Sequence, residues 1–178
     1  MARTWLSIRV ELISGQGEDL WPRPGRVFAA PRAHSFALLA EAIDQAFARW
    51  DLSHLHLFTL ADGTGVSLEW WDGDAPDGTI DGRITTLGRL QGGEQFAYVF
   101  DMGDQWAHLC TVGAQGVDPD RELGIVPERP LPYWGWGSVP DQYGRRWDGD
   151  DGESSAPRRP GGLSDLPPIL PWWGERQR

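Results

Sequence analysis

The segment Tyr98-Val-Phe-Asp-Met-Gly-Asp-Gln-Trp-Ala-His108 decides how this chain is read. It alternates as a strand does and breaks at a turn carrying Asp101 and Asp104 around Gly103. It then alternates again through Trp106, His108, Cys110 and Val112. Side chains on a strand repeat every second residue, so Trp106 and His108 share one face. Two strands, Gln95–Phe100 and Trp106–Val112, joined by an acidic turn therefore anchor the sheet. Gln91-Gly-Gly93 leads into the first of them.

Outward from this hairpin, Leu6, Ile8, Val10 and Leu12 alternate with Ser7, Arg9 and Glu11, a half-buried strand. Ser14-Gly-Gln-Gly17 turns it back. Prolines 22, 24 and 31 restrict the return strand to an edge or to two short pieces. Ser35 is an N-cap for a helix predicted over 36–50. Its apolar stripe is Phe36, Leu39, Ala40, Ile43, Phe47 and Trp50, with Glu41, Asp44, Gln45 and Arg49 toward water. His54–Leu60 reads as a strand, turned by Asp62-Gly63 toward a partner at Val66–Trp70. A short helix or turn is expected around Thr86–Leu90.

Residues 113–132 are dominated by Pro, Gly and charge, and 133–147 set Tyr133, Trp134, Trp136, Tyr143 and Trp147 among glycines. The aromatic segment is expected to cover a sheet edge, which suppresses edge-to-edge pairing. From Asp148 the composition turns to Asp, Gly, Ser, Pro and Arg, a disordered or loosely docked tail over 148–178. It ends in the apolar Leu166-Pro-Pro-Ile-Leu-Pro-Trp-Trp173.

Composition excludes several functions. The chain has 178 residues, net charge −10 and no Lys, so all 16 basic side chains are Arg. A nucleic-acid backbone is repelled by that charge, which disfavours a nucleic-acid partner. One cysteine, Cys110, rules out an internal disulfide and any Cys-rich zinc site; mid-strand, it reads as a buried thiol. No signal peptide and no apolar run of membrane-spanning length are seen, so a cytoplasmic protein without membrane association is expected. There is no Gly-x-Ser-x-Gly elbow, and a Gly-x-x-x-x-Gly-Lys loop is impossible without Lys. Asp72, Asp74 and Asp77 lack the Glu that a calcium loop needs and read as a solvated loop.

The motifs resemble the plasmid pRiA4b ORF-3-like family, some of whose members are transposon passenger proteins. Its hallmark His-Leu-His-x-Phe strand is matched by His54, Leu55, His56 and Phe58. Its Asp-x-Gly-Asp-x-Trp-x-His turn and strand is matched by Asp101, Gly103, Asp104, Trp106 and His108. Trp50 matches a Trp ending the helix, although Arg49 replaces the family's Gly. Leu20-Trp-Pro-Arg23 is a broken form of an early Trp-Arg-Arg segment. Val139-Pro-Asp-Gln-Tyr-Gly144, with Asp141, echoes a late acidic loop. The resemblance spans residues 5–147 and implies one domain over 1–147 with no assigned reaction.

The expected fold is α+β: a twisted, mainly antiparallel sheet of four or five strands with one main helix on it, in a β-grasp-like order. Two functional readings follow. One is a non-enzymatic binding or adaptor module linked to plasmid or mobile-element biology, with a protein partner engaged through its acidic surface or 166–173 and no cofactor. Its candidate surface is His54, His56, Asp101, Asp104, Trp106, His108 and Asp141. The other is a metal-dependent enzyme or sensor with a divalent ion on His56, Asp104 and His108, since His with carboxylates suits Zn, Mn or Fe. Against both stands a plain structural role. Asp101 and Asp104 bind turn N–H groups, Gly103 takes the unusual torsions, Trp106 is core and His108 donates to a buried carbonyl or to Asp101.

Overall fold

The computed structural model describes residues 5–67 and 75–167. Strand β1 (Trp5–Gly15) is followed by the short β2 (Glu18–Asp19), β3 (Gly25–Pro31) and helix α1 (Phe36–Ala46). Then come β4 (His56–Thr59), β5 (Gly65–Ser67), β6 (Ile80–Asp81), a single 3-10 turn at Leu87–Arg89, β7 (Gln95–Phe100) and β8 (Trp106–Val112). A short helix α2 (Pro119–Leu123) and strand β9 (Leu131–Trp136) complete the described elements.

The protein is α+β. The described strands form one nine-stranded sheet in the order β6-β5-β4-β7-β8-β1-β3-β9, with β2 beside β1. All described pairings are antiparallel except β5 with β6. Hairpin, helix and strand follow one another as expected, and the β7 and β8 boundaries coincide with those read from alternation. The sheet is nonetheless larger than four or five strands. The two-residue strands β2 and β6 add to it, and so does β9: its Pro, Gly and aromatic composition hides a strand whose partner, β3, lies a hundred residues earlier. The aromatic segment thus supplies the edge strand itself. β3 sits inside, between β1 and β9, while the prolines at 22 and 24 fall in the gap between the two short return pieces.

Alternation places Leu6, Ile8, Val10, Leu12, Phe28, Phe58, Phe96, Tyr98, Phe100, Trp106, Cys110 and Val112 on one face, and α1 packs over it. Phe36 meets Phe58 edge-on at 5.2 Å between ring centroids, and Phe47 meets His108 at 4.9 Å. A smaller cluster of Trp5, Ala29 and Val117, with Tyr133 against it, lies apart from this core.

Ser35 caps α1 by accepting from Leu38 N–H at 3.3 Å. The helix stops at Ala46, four residues before the predicted end, because Ala48 takes a left-handed backbone with φ of 56°. Trp50 therefore leaves the stripe and is 46% exposed. Asp44 and Arg49, assigned to water, are buried at 6% and 4% exposure.

Residues 148–167 contain no helix or strand. Ser164 bonds Asp148, Arg145 bonds Asp165 at 2.8 Å, and Leu166 packs against the core. The remainder of the 166–173 segment, Asp72, Asp74 and the end of the Val66–Trp70 strand lie outside the described residues.

The Trp106 ring lies directly beside Gly15, where a Cβ would run into its six-membered ring. Overpacking of this kind destabilises by about 1–3 kcal/mol. Gly15→Ala should lower unfolding free energy by that amount in urea titration, with the slope unchanged; equal stability would show that the Trp106 ring has room to move.

Candidate functional site

The acidic turn is a knot of backbone bonds. Asp101 and Gln105 adopt left-handed φ values of 61° and 51°, so the unusual torsions fall on them and not on Gly103. Asp tolerates that region because its short carboxylate bonds locally. Asp101 Oδ1 accepts from Gly103 N–H at 2.8 Å and Asp104 N–H at 3.3 Å. Asp104 turns outward: its carboxylate accepts from Gln16 Nε2 at 3.3 Å and its carbonyl from Gln16 N–H at 2.7 Å.

The loop at 139–145 locks onto this turn. Asp141 Oδ2 accepts from the backbone N–H groups of Tyr143 and Arg145, and Oδ1 from Arg145 Nε at 2.8 Å and Trp50 Nε1 at 3.3 Å. Burial pushes the Asp141 carboxyl up, but the Arg145 bonds outweigh it and hold it below the usual range. Gln142 accepts from Trp50 and Asp51 N–H and donates to the Asp51 carbonyl. Tyr143 donates its hydroxyl to Asp51 at 2.7 Å, which pushes the phenol up to about 12. Because that proton is committed, the Tyr143 oxygen accepts from His54 Nε2 at 2.8 Å. His54 Nδ1 lies 3.4 Å from Asp101.

His54, Asp101, Asp104 and Asp141 thus gather around one clasp between the end of α1, the β7–β8 turn and the late loop. His56, Trp106 and His108 do not join them. His108 is buried beneath, its Nδ1–H donating to the Tyr98 carbonyl at 3.2 Å. Burial, then the nearby Arg49, lowers His108 to about 3, so it is neutral. Trp106 is buried with Arg49 stacked 3.9 Å above its ring. His56 stands on β4 against Tyr98 at 5.6 Å between ring centroids. The expected metal set of His56, Asp104 and His108 is therefore not assembled. Among the described residues no three His, Cys, Asp or Glu side chains come close enough to hold a metal ion. Cys110 is fully buried, and burial drives its thiol well above the ordinary range.

Beside the clasp a cleft of about 860 Å³ opens between α1 and the 52–56 segment. Asp44, Arg49, His54, His56, Arg83 and Arg129 line it. Of these, the sequence reading had selected only the histidines. Asp44 accepts from the Tyr98 hydroxyl at 2.8 Å. Burial raises its carboxyl to about 7, against the opposing pull of Tyr98 and Arg49. Arg49 is lowered to about 10 by burial, which Asp44 and Asp141 resist. It donates to the Pro140 carbonyl at 3.3 Å, while Nε and Nη1 are buried without partners. His56 is lowered to about 4 by burial and is neutral. One signal for Asp44 was available. It stands four residues after Ala40 and three before Phe47, on the buried stripe itself.

A model of the plasmid pRiA4b ORF-3-like proteins matches residues 6–125. The chain belongs to this family. The pRiA4b ORF-3-like match covers α1, the cleft walls on β4 and β7, and the acidic turn, and stops before the late loop. Among solved structures, the fold is similar to that of a protein of unknown function, MM3350, from Methanosarcina mazei Go1. The TM-score is 0.59 at 17% identity, over 76% of this chain and 71% of that one. No curated protein matches.

Two outcomes test this site. Asp141→Ala removes the acceptor for Trp50, Tyr143 and Arg145 together and should destabilise by about 2–4 kcal/mol, read by urea unfolding; a loss under 1 kcal/mol would show the clasp is ornamental. Asp44 is protonated more readily in the folded than in the unfolded chain. It therefore withdraws stability as pH rises from about 4 to about 7. His56 and His108 slope the other way below their unfolded values, so the difference between wild type and Asp44→Asn isolates the carboxyl. The variant should gain on wild type across that window by on the order of 4 kcal/mol at most. A constant difference from pH 4 to 8 would refute the assignment.

Proposed function

We propose that this pRiA4b ORF-3-like protein is a non-enzymatic binding module that holds a small ligand in the cleft beside α1. The observation carrying this reading is that the fold leaves polar groups unused there. Around the clasp nearly every carboxylate and amide has a partner inside the protein. In the cleft, Asp44 uses one oxygen on Tyr98, and its second has no partner among the described residues. The ring nitrogens of His56 have none either. Cavities of roughly 300–1,000 Å³ with a few converging polar groups are typical of small-molecule sites.

Two observations support binding over turnover. The Cys110 thiol is sealed in the core, and the Ser67 hydroxyl is spent on the His56 carbonyl. The family's name ties it to a plasmid reading frame, and an adaptor in such a system fits a ligand-responsive module. Its protein contact would use the acidic surface or the 166–173 segment. No helix among the described residues is long and apolar enough to cross a membrane.

The test is a small-molecule library screened by thermal shift and native mass spectrometry, in wild type and in Gln45→Trp. Gln45 is exposed on the cleft wall, so the tryptophan fills the cleft without touching the core. Wild type should gain several degrees with a bound compound recovered intact, and the filled variant should gain nothing. Chemical conversion of the compound would overturn the non-enzymatic reading, and identical shifts in both proteins would remove the cleft.

A further inference from the structure

The cleft has a buried floor and an exposed rim of different chemistry. On the floor, Asp44 Oδ1 is held by Tyr98, leaving Oδ2 without a hydrogen-bond partner among the described residues and an acceptor when the carboxyl is ionised. Asp44 keeps 6% exposure and lines the cleft. The neutral His56 ring, which lines the same cleft, meets Phe58 edge-on at 6.2 Å and lies tilted against Tyr98 at 5.6 Å, and its nitrogens have no hydrogen-bond partner among the described residues. On the rim, the Arg129 side chain is 69% exposed, while Arg83 is held by Asp81, donating to both of its carboxylate oxygens. Arg129 has one loose ion pair, 3.8 Å from Glu41.

These two ends select a ligand. An unpaired acceptor on a buried floor calls for a hydrogen-bond donor, since leaving it bare costs its lost hydration. A cationic donor is opposed by the buried Arg49 guanidinium in the wall, and Glu41, the other acid of the lining, already faces Arg129. An anion on the floor is opposed by Asp44 itself. What remains is an uncharged N–H group inside and negative charge outside, where arginine is the side chain suited to carboxylate or phosphate.

Resting on the binding-module reading, we propose that the cleft takes a small organic anion with an uncharged N–H donor pole. The N–H pole sits on Asp44 Oδ2 and His56, and the anionic pole meets Arg129 at the rim. Two sources share this chemistry: nucleoside monophosphates, with the base inward, and N-acyl amino acids, with the amide inward.

Calorimetric titration of the full chain with four nucleoside monophosphates and a set of N-acetyl amino acids tests it. Inorganic phosphate, acetate, putrescine and agmatine are the comparison probes. One of the two panels should bind, and Gln45→Trp should abolish binding. Asp44→Asn keeps an acceptor for Tyr98 but turns an N–H₂ toward the ligand, and should weaken binding about tenfold or more. Arg129→Ala, at an exposed site, should weaken it about threefold to tenfold and flatten its salt dependence, with the melting temperature unchanged. The proposal is overturned if neither panel binds, if phosphate or acetate alone binds as tightly as the whole molecules, or if Asp44→Asn binds normally. Amines that bind and are blocked by Gln45→Trp would overturn the ligand class while leaving the cleft a binding site. No binding by any probe, together with a library screen that finds no ligand, would end both readings.

Discussion

The Arg49 guanidinium lying 3.9 Å over the Trp106 ring is the contact on which the surroundings of the cleft depend. Arg49 follows the left-handed Ala48 that ends α1, so the stack fixes where the chain goes after the helix. Trp106 opens β8 and fills the space beside Gly15 on β1. The same guanidinium donates to Pro140 and so draws in the late loop. One side chain thereby joins the helix end, the middle of the sheet and a segment ninety residues downstream. Its Nε and Nη1 have no hydrogen-bond partners. The aromatic face and the nearby carboxyls of Asp44 and Asp141 are what hold the charge in place.

That geometry explains why the acidic motif is structural first. Asp101 tolerates a left-handed backbone by bonding two N–H groups of its own turn, and only then faces His54. Asp141 repeats the logic in the late loop, gathering two backbone amides, Arg145 and Trp50. A carboxylate with this many donors has little capacity left for a ligand or a metal. The residues most conspicuous in sequence are therefore those the fold consumes.

Local patterns were legible, and distant ones were not. Alternation located β7 and β8 to the residue, and Ser35 marked the start of α1, because both signals act between near neighbours. The helix end was missed because no glycine marks it: Ala48 takes the left-handed turn itself. β9 was missed because its strand character comes from β3 and not from its own Pro-Tyr-Trp-Gly composition. Asp44 and Arg49 were assigned to water by residue type, against the spacing that sets Asp44 between Ala40 and Phe47. Their partners, Tyr98 and Trp106, lie more than fifty residues away and leave no local trace. The converging histidines were half legible. His54 and Asp101 do meet, but the Tyr98 ring packs against both His56 and His108.

What separates the cleft from the clasp is the cost of what it contains. A carboxyl buried to 6% exposure with one hydrogen bond destabilises the chain at neutral pH, and an asparagine would keep the Tyr98 bond without that penalty. The same holds for a neutral imidazole with unclaimed nitrogens on an otherwise aromatic wall. Polar groups inside proteins are ordinarily paired, and those of the clasp are. Asp44, with only one oxygen hydrogen-bonded, and His56 both line the same 860 Å³ of space. Compensation of Arg49 accounts for the Asp44 charge but not for its second oxygen, nor for the His56 nitrogens. A ligand that completes their hydrogen bonds accounts for both, and for Arg129 standing where such a ligand would emerge into solvent.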